Sequence, residues 1–271
     1  MIAPSHDDWR SYDTVAEAYE RIAAPHFETV ARRLLAAARP TPAARFLDLG
    51  TGTGAVAVAL SEGRKTRWRL VGVDLSLPML SLARRRVPWL YPVLGNAFRT
   101  PFRNGSFDLV TANFVLSHLE DYRGGLREVL RVLARPAAFA ASCWGPASDP
   151  YHAVWRELLD TAIGPEAVQD AIEAVAPWER HFSSPASVRA ALLEAGFGGV
   201  QVERFDLTFD QSVQEYVADR ALGAAGRFAR RSLGEVGWRR FIARLEAELR
   251  RRLGERIRYA RAVVLAVGTV A

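Results

Sequence analysis

Cysteine and lysine are nearly missing from this chain of 271 residues. Cys143 is the only cysteine, so neither an intrachain disulfide nor a metal cluster held by several thiolates can form. Lys65 is the only lysine, and the sequence contains no zinc-finger, RNP or Gly-Lys-Ser phosphate motif. These absences exclude a disulfide scaffold and give no support to a nucleic-acid-binding module.

Long apolar runs are missing as well. Asp7 and Asp8 stand where a signal peptide would need an apolar segment, and the C-terminal run "AVVLAVGTVA" is too short to cross a bilayer. Hydrophobic residues nevertheless make up 49% of the chain, which is ample for a buried core. We therefore expect a soluble cytoplasmic protein without a membrane partner, built as one large domain or as a core with insertions.

The formal charge of +6 raises the question of a polyanionic partner. Nearly all of the positive charge is arginine, and acidic residues alternate with it in "RLEAELRRRLGERIRYAR", which is typical of one solvated helix face. We therefore expect no nucleic-acid partner. An RNA- or protein-modifying role through the arginine-rich helix near residues 239–261 stays open as a weaker alternative.

Short apolar runs alternate with helical patterns between residues 44 and 144, which predicts parallel strands joined by crossover helices. The predicted strands are "RFLDLG", "RLVGVD", "YPVL", "FDLVTAN" and "AFAASCW", and helices begin near Gly54, Ser76 and Tyr122. Beyond them, "VQVERFDLTF" and "ARAVVLAVGTV" supply further apolar runs. The fold class is therefore α/β.

The pattern divides the chain into four parts. We expect an N-terminal helical cap, a cofactor-binding core, a helical lid insertion rich in Trp and Pro, and a C-terminal part of the core that contains a second helical insertion near residues 212–254. The boundaries are residues 1–43, 44–144, 145–183 and 184–271.

The stretch "FLDLGTGTG" (residues 46–54) places three glycines at alternate positions after a short strand. Glycine permits positive φ and has no Cβ, so a ligand can lie against the backbone. A second strand ends about 20 residues later at Asp74, where an acid can accept hydrogen bonds from both ribose hydroxyls. A nucleoside site is favoured; the alternative is a tight turn in which Asp74 caps the helix at Pro78.

Asp48 narrows the choice of nucleoside. It lies two residues before Gly50, where a carboxylate would repel a pyrophosphate but attract a cationic ligand. S-adenosylmethionine carries an ammonium and a sulfonium, so the sequence favours this cofactor over a dinucleotide.

The motifs "LDLGTGTG", "VGVDLS", "GNAFRTPFRNGSFDLVTANFVLSHLED" and the early "YDTVAEAYE" occur in the order found in one enzyme family. In this respect the chain resembles the class I S-adenosylmethionine-dependent methyltransferases, especially the menaquinone and ubiquinone C-methyltransferase branch. The resemblance covers residues 10–144 by motif and the rest by element order. It implies a Rossmann-like sheet of seven strands, mostly parallel with the last strand antiparallel, helices on both faces and helical lid insertions.

The resemblance also implies a set of cofactor contacts. Asp74 would hold the ribose, Leu75 and Met79 would pack on the adenine, and the segment 96–98 would surround its amine and ring. The full implied set is Tyr12, Tyr19, Asp48, Gly50, Thr51, Gly52, Gly54, Asp74, Leu75, Met79, Asn96, Ala97, Phe98, Asn113 and Phe114. In it, Tyr12 and Tyr19 close the cofactor from the N-terminal side.

The chain departs from the family pattern at three places. Asn96 replaces the more usual Asp, although its amide oxygen can still accept a hydrogen bond from the adenine amine. Pro136-Ala137-Ala138 replaces a Pro-Gly-Gly turn, which leaves the turn geometry open. "NFVL" after the fourth strand is unlike nucleic-acid amino methyltransferases, and Asn113 replaces the acid of metal-dependent relatives, so we expect no metal.

Methyl transfer needs a general base only when the acceptor has a proton to lose. His118 in "LSHLED" is the first candidate for a catalytic base, because imidazole titrates near neutral pH and this residue follows the fourth strand. The alternative is a histidine that contacts only the cofactor or the backbone. His181, His152 and Asp121 are weaker candidates.

Aromatic residues are enriched in the N-terminal segment and the insertions, which predicts a pocket for a flat or apolar small molecule. They are Trp9, Tyr12, Tyr19, Trp144, Tyr151, Trp155, Trp178 and Phe182, although Trp155 and Trp178 suit the core of a lid equally well. We expect methyl transfer to an aromatic or polyketide-like metabolite by a monomer or homodimer. A methyltransferase fold used for a cyclisation or another non-methylating reaction is the main alternative.

Overall fold

A computed structural model describes residues 8–41, 44–62, 69–147 and 149–271. Lys65 and the first seven residues, with Asp7 among them, lie outside the described residues. Within the described part, seven strands form one sheet with the order β3-β2-β1-β4-β5-β7-β6. The strands are Arg45–Leu49 (β1), Arg69–Asp74 (β2), Tyr91–Leu94 (β3), Phe107–Asn113 (β4), Leu133–Trp144 (β5), Gly198–Ser212 (β6) and Arg256–Val270 (β7).

The first five strands are parallel, and β7 lies antiparallel between β5 and β6. This confirms the expected fold class. The strand order reverses between β1 and β4, so their carboxyl ends, together with that of β2, border the crevice in which open α/β sheets bind ligands.

Eleven α-helices are present in the described part of the chain. They are Ala16–Ile22 (α1), Ala24–Ala38 (α2), Ala55–Ser61 (α3), Leu77–Arg86 (α4), Tyr122–Val132 (α5), Pro150–Ile163 (α6), Pro165–Val175 (α7), Glu179–Phe182 (α8), Pro185–Ala195 (α9), Val213–Leu222 (α10) and Ala224–Leu253 (α11). Short 3-10 helices cover Asp13–Val15 and Leu116–His118. None of the helices in these described ranges is long and apolar enough to span a membrane.

The arginine-rich stretch of residues 244–261 is not one helical face, so that part of the sequence interpretation is wrong. The helix α11 ends at Leu253, and Gly254 takes φ +92°, a conformation that glycine adopts readily. β7 then begins at Arg256. Arginines at 256, 258 and 261 therefore belong to a strand, where alternate residues point to opposite faces.

Apolar side chains form separate packed layers. One cluster, which includes Leu47, Val110 and Phe139, packs with α5 and α9, and a second, which includes Phe46 and Leu70, packs with α2 and α3. A third cluster is formed by α6, α7, α10 and α11 around Leu159, Tyr216 and other buried residues. These four helices therefore have a hydrophobic core of their own.

β6 and β7 extend past the carboxyl end of β5. The last residue pair between β5 and β7 is Trp144 with Val263, whereas β6 and β7 stay paired as far as Ser212 and Arg256. The two strands thus continue as a ribbon beyond the carboxyl edge of the parallel sheet, and the helices α6 and α10 pack on this ribbon.

Candidate active site

The glycine loop joins β1 to α3, and its first two glycines have different roles. Gly50, Gly52 and Gly54 have φ values of +60°, +53° and +89°. A Cβ on Gly50 would lie 2.5 Å from Val115 Cγ2, whereas a Cβ on Gly52 would approach only the Gly50 carbonyl oxygen, at 4.0 Å. Gly50 is therefore required for packing, and Gly52 presents open backbone to a ligand.

Asp74 at the end of β2 connects this loop to the start of α4. Its Oδ2 accepts a hydrogen bond from the Gly52 N–H at 2.8 Å, and its Oδ1 accepts one from the Ser76 N–H at 2.9 Å. Ser76, and not Asp74, caps α4, because its Oγ accepts from the Met79 N–H. Each carboxylate oxygen keeps a second lone pair, so Asp74 can accept hydrogen bonds from two neighbouring hydroxyls.

Asp48 lies beneath the loop on β1 and is 1% exposed. Its Oδ1 accepts a hydrogen bond from the Thr111 hydroxyl at 2.7 Å. Burial raises the pKa of Asp48 to about 7, and the nearby charge of Asp74 adds to the rise. A carboxylate in this setting is stabilised when a cation comes close to it.

A pocket of about 40 Å³ lies between the glycine loop, Asp48, Asn113 and the rings of Tyr19 and Phe27. The Thr51 hydroxyl in its wall is buried and has no hydrogen-bond partner in the described part of the chain. The volume is well below that of a pocket for a drug-sized ligand, about 300–1,000 Å³. This pocket therefore holds only part of a ligand of that size, and the rest of the ligand would lie in the open part of the crevice.

Two further segments border the crevice where β2 and β3 end. Leu75 is 62% exposed beside Asp74 and offers an apolar surface to a planar ring. The Asn96 Oδ1 accepts a hydrogen bond from the Phe98 N–H at 2.8 Å, which shapes the loop of residues 96–98 after β3. Met79 is only 3% exposed and packs with Tyr12 and Tyr19, away from solvent.

The end of β4 is fixed by side-chain hydrogen bonds. Asn113 donates from Nδ2 to the Phe27 carbonyl oxygen at 3.2 Å and accepts at Oδ1 from the Ser142 hydroxyl at 2.7 Å. Phe114 follows with φ +61°, which is unusual for a residue with a side chain. Its ring lies 4.2 Å from that of Trp144, so an aromatic surface begins directly after Asn113.

The N-terminal segment covers the crevice. The rings of Tyr12 and Tyr19 meet edge to face at 5.6 Å, and Tyr19 stacks on Phe27 at 5.4 Å. Arg227 of α11 lies 4.1 Å over the Tyr12 ring and donates hydrogen bonds to the carbonyl oxygens of Trp9 and Arg10. Sequence reasoning missed Arg227, because it lies in an arginine-rich helix far along the chain.

His118 ends the short 3-10 helix that follows β4. Its Nδ1 is 2.9 Å from the Val175 carbonyl oxygen, so Nδ1 carries the proton and donates, which leaves Nε2 as an acceptor. The Tyr12 ring is 6.4 Å away. The imidazole is open to solvent on one side, but the surrounding protein desolvates it and lowers its pKa. It is therefore neutral at pH 7.

The other candidate bases have different surroundings. Asp121 caps α5 through the Gly124 N–H and pairs with Arg127 at 3.5 Å. His181 stacks on Tyr122 at 5.4 Å. His152 lies on α6, where burial lowers its pKa. In the described ranges, no group of three or more His, Cys, Asp or Glu residues is arranged to hold a metal ion.

The aromatic residues expected to line the acceptor pocket are dispersed. Trp144 lies beside Phe114 at the crevice, with the Arg261 guanidinium 4.3 Å from its ring centroid. Trp155 is buried within the layer of α6, α7, α10 and α11, and Phe182 is fully buried in the core of the sheet. The sequence gives only a weak sign that Arg261 belongs to the site, namely that it alternates with Tyr259 along a strand.

Comparison with known proteins gives consistent matches. Residues 47–141 match a family model described as "Methyltransferase domain". A malonyl-[acyl-carrier protein] O-methyltransferase from Halorhodospira halophila is 34% identical over 250 residues, which cover 89% of this chain and 78% of that protein. A demethylmenaquinone methyltransferase from Streptomyces griseus is 32% identical over 62% of this chain and 75% of its own length.

Among solved structures, the YcgJ protein from Bacillus subtilis superposes with a TM-score of 0.55. The match covers 90% of this chain and 97% of that one at 21% sequence identity. At this identity the likeness concerns the fold alone.

Proposed function

The chain belongs to the class I S-adenosylmethionine-dependent methyltransferases that act on small molecules, and from this premise we propose that the crevice binds S-adenosylmethionine and directs its methyl group to a small acceptor. The observation that carries the proposal is the hydrogen bond that the Gly52 N–H donates to Asp74 Oδ2. It joins the ends of β1 and β2 around one carboxylate that can still accept two more hydrogen bonds.

The residues of the crevice fit the parts of this cofactor. Asp74 would hold the ribose hydroxyls, Leu75 would support the adenine, and Asn96, with Ala97 and Phe98, would border its amine. Gly52 allows close approach to the backbone, and the buried Thr51 hydroxyl gains a partner. Met79 contributes by positioning Tyr12 and Tyr19, since it packs against both.

Asp48, Asn113 and Phe114 form the methionine end of the crevice. Asp48 supplies negative charge for a cationic group, and Asn113 fixes the end of β4 through Phe27 and Ser142. When bound, S-adenosylmethionine supplies a methyl group on a positively charged sulfur. The protein then holds the acceptor in line with that methyl group, and such positioning is worth on the order of 7–11 kcal/mol.

His118 acts as the general base for acceptors that lose a proton. Its Nδ1–H donates to the Val175 carbonyl oxygen, so Nε2 keeps a free lone pair for a proton of the acceptor. Its lowered pKa keeps the imidazole neutral and ready to accept a proton at neutral pH. Trp144, beside Phe114, provides an aromatic wall for the acceptor.

Methyl transfer is tested by incubating the enzyme with methyl-deuterated S-adenosylmethionine and a bacterial metabolite extract. We expect S-adenosylhomocysteine to accumulate together with a product that carries the labelled methyl group. A product isomeric with its substrate and without label would instead identify a non-methylating reaction such as cyclisation. Neither product nor S-adenosylhomocysteine above the level of a heat-denatured control would refute the proposal.

A further inference from the structure

A polar cluster lies between α10, α6 and the ribbon formed by β6 and β7, outside the cofactor crevice. We call it the arginine cluster. Its members are Tyr216 and Arg220 of α10, Tyr259 and Arg261 of β7, Gln211 of β6 and His152 of α6.

Secondary structure brings these residues together. Tyr216 and Arg220 are four residues apart on α10, and the guanidinium lies 5.2 Å from the phenol ring centroid. Tyr259 and Arg261 alternate along β7, so both point to the same face of the ribbon. The rings of Tyr216 and Tyr259 meet edge to face at 5.9 Å, which joins the helix to the strand.

Every member of the arginine cluster has a buried polar atom without a hydrogen-bond partner in the described part of the chain. The atoms are Arg220 Nε, Arg261 Nε, Gln211 Nε2, His152 Nδ1 and the hydroxyls of Tyr216 and Tyr259. All six can donate a hydrogen bond, and the arginine and glutamine nitrogens can only donate. Leaving a buried donor unpaired costs about 1–3 kcal/mol, so the cluster is short of acceptors.

The two arginines are only partly neutralised. Arg220 pairs with Asp219 at 3.0 Å and Arg261 with Glu179 at 3.1 Å, and in each case a terminal guanidinium nitrogen makes the contact. Their side chains are only 17% and 12% exposed. Burial, and the positive charge of Arg220 close by, lower the pKa of Arg261. A bound anion would relieve both the desolvation and the repulsion.

The arginine cluster borders the proposed acceptor site. The Arg261 guanidinium lies over Trp144, and Trp144 packs on Phe114 directly after Asn113. Two aromatic rings thus separate the arginine from the methionine end of the crevice. An acceptor lying along these rings would reach the arginine cluster with its far end.

We propose that Arg220 and Arg261, with the hydroxyls of Tyr216 and Tyr259, bind a carboxylate of the methyl acceptor. The inference rests on the proposed function and specifies its substrate class as an acidic small molecule with an apolar or aromatic body. A carboxylate fits better than a phosphate dianion, because the carboxylates of Asp219 and Glu179, which each contact one guanidinium, would repel a dianion more strongly than a monoanion.

The test measures binding of matched acids and amides to the full chain saturated with S-adenosylhomocysteine. Benzoate, benzamide, hexanoate, hexanamide and phenyl phosphate are the probes, and ligand-observed NMR gives each Kd. The variants are Arg261→Gln and Arg220→Gln. Arg258→Gln is the matched control, since Arg258 lies on the same strand but is 72% exposed and pairs with Asp210.

We expect at least one acid to bind the wild-type protein about tenfold or more tightly than its amide, because charge-assisted hydrogen bonds contribute about 1.5–3 kcal/mol. Both variants should lose this preference and Arg258→Gln should keep it. If a glutamine variant fails to fold, Tyr259→Phe tests the same site through its hydroxyl and should weaken acid binding severalfold while leaving the amide unchanged.

Three results would overturn the inference: acids that bind no better than amides or not at all, a preference that survives in both arginine variants, or phenyl phosphate binding more tightly than benzoate. The first two would mean that water alone satisfies the donors. Failure of the wild-type protein to bind S-adenosylhomocysteine would instead refute the proposed function, and this is measured separately before any probe is added.

Discussion

The pKa values of the buried acids in the crevice and of the acids at the surface are shifted in opposite directions. The pKa values of Asp48 and Asp74 are raised by burial, whereas Asp108 and Asp210, which pair with arginines, have lowered pKa values. A raised pKa means that the folded protein binds protons more tightly than the unfolded chain does. The crevice acids therefore reduce stability where they are ionised, which is typical of groups kept for function.

Asp48→Asn should raise apo stability at pH 8 and weaken cofactor binding. The unfolded pKa is about 3.9, and the folded pKa is about 7, so this residue's contribution to stability is lost as pH rises between the two values. Asparagine keeps an acceptor for the Thr111 hydroxyl and has no charge to bury.

Thermal unfolding from pH 5 to 8 and cofactor titration at pH 8 measure the two effects of Asp48→Asn. The melting temperature of the variant should fall less with rising pH than that of the wild type. A lower melting temperature at pH 8 combined with unchanged cofactor affinity would contradict the assignment of Asp48 to cation binding.

His118→Asn separates catalysis from positioning. The asparagine Nδ2 can replace Nδ1–H as donor to the Val175 carbonyl, but no base remains. We expect kcat to fall about 10²- to 10⁴-fold for an acceptor that must lose a proton, with little change in cofactor affinity. In the wild type, kcat should fall at acid pH because protonation removes the base, and the lowered pKa of His118 places this loss at a lower pH than for an ordinary histidine.

A variant His118→Asn with wild-type kcat and an unchanged pH profile would show that the histidine only tethers the residues after β4 to α7. Both profiles are measured with the same acceptor and saturating S-adenosylmethionine.

Individual elements differ in how far the sequence determines them. The boundaries of β1 to β4 could be predicted within about one residue. The strands β1, β2 and β4 are largely buried and form continuous apolar runs, and β3 is a short apolar run at the exposed edge of the sheet. β5 begins at Leu133 rather than Ala138, because Leu133 pairs with Phe107 across a register shift that no local pattern indicates. β7 begins earlier than expected, since its first residues continue the charge pattern of α11.

The residues of the candidate site could be predicted only where they lie within a local sequence motif. The glycine loop, Asp74 and His118 lie in short segments whose spacing fixes their place at the carboxyl edge. Arg220, Arg227 and Arg261 come from α10, α11 and β7 and meet only through tertiary packing. Because the chain is rich in arginine, residue type alone does not distinguish these three from the solvated arginines around them.

The N-terminal helix α1 should control cofactor exchange. Tyr19 of α1 borders the pocket of about 40 Å³ beside the glycine loop, so we expect residues 8–22 to move when the cofactor enters or leaves. Arg227 holds the segment through the Trp9 and Arg10 carbonyls and through Tyr12. Arg227→Gln should therefore speed dissociation of S-adenosylhomocysteine about tenfold, since hydrogen bonds to a charged group contribute about 1.5–3 kcal/mol.

Stopped-flow displacement measures this rate, and Arg230→Gln serves as the control, because Arg230 lies on the same helix but pairs with Glu235 at the surface. Equal dissociation rates for Arg227→Gln and wild type would contradict a gating role for the N-terminal segment.

Many of the arginines in the described part of the chain form ion pairs within it. Arg250, Arg251 and Arg252 at the end of α11 pair with nearby glutamates, among them Glu246, Glu248 and Glu157. Such pairs contribute little to stability but reduce the field available to a polyanion. We expect no mobility shift of tRNA by micromolar protein at low salt; a strong, salt-sensitive shift would favour an RNA substrate.

Cofactor binding at the carboxyl edge of the sheet is tested most directly by calorimetric titration of S-adenosylhomocysteine into wild-type protein and Asp74→Asn. The asparagine side chain keeps acceptor capacity for the Gly52 N–H but loses the charge that strengthens the bonds to the ribose. We expect one site per wild-type chain and an affinity about tenfold to a hundredfold lower in a variant that stays folded. Absence of binding to the wild type at millimolar ligand, or equal affinity in the folded variant, would contradict the account.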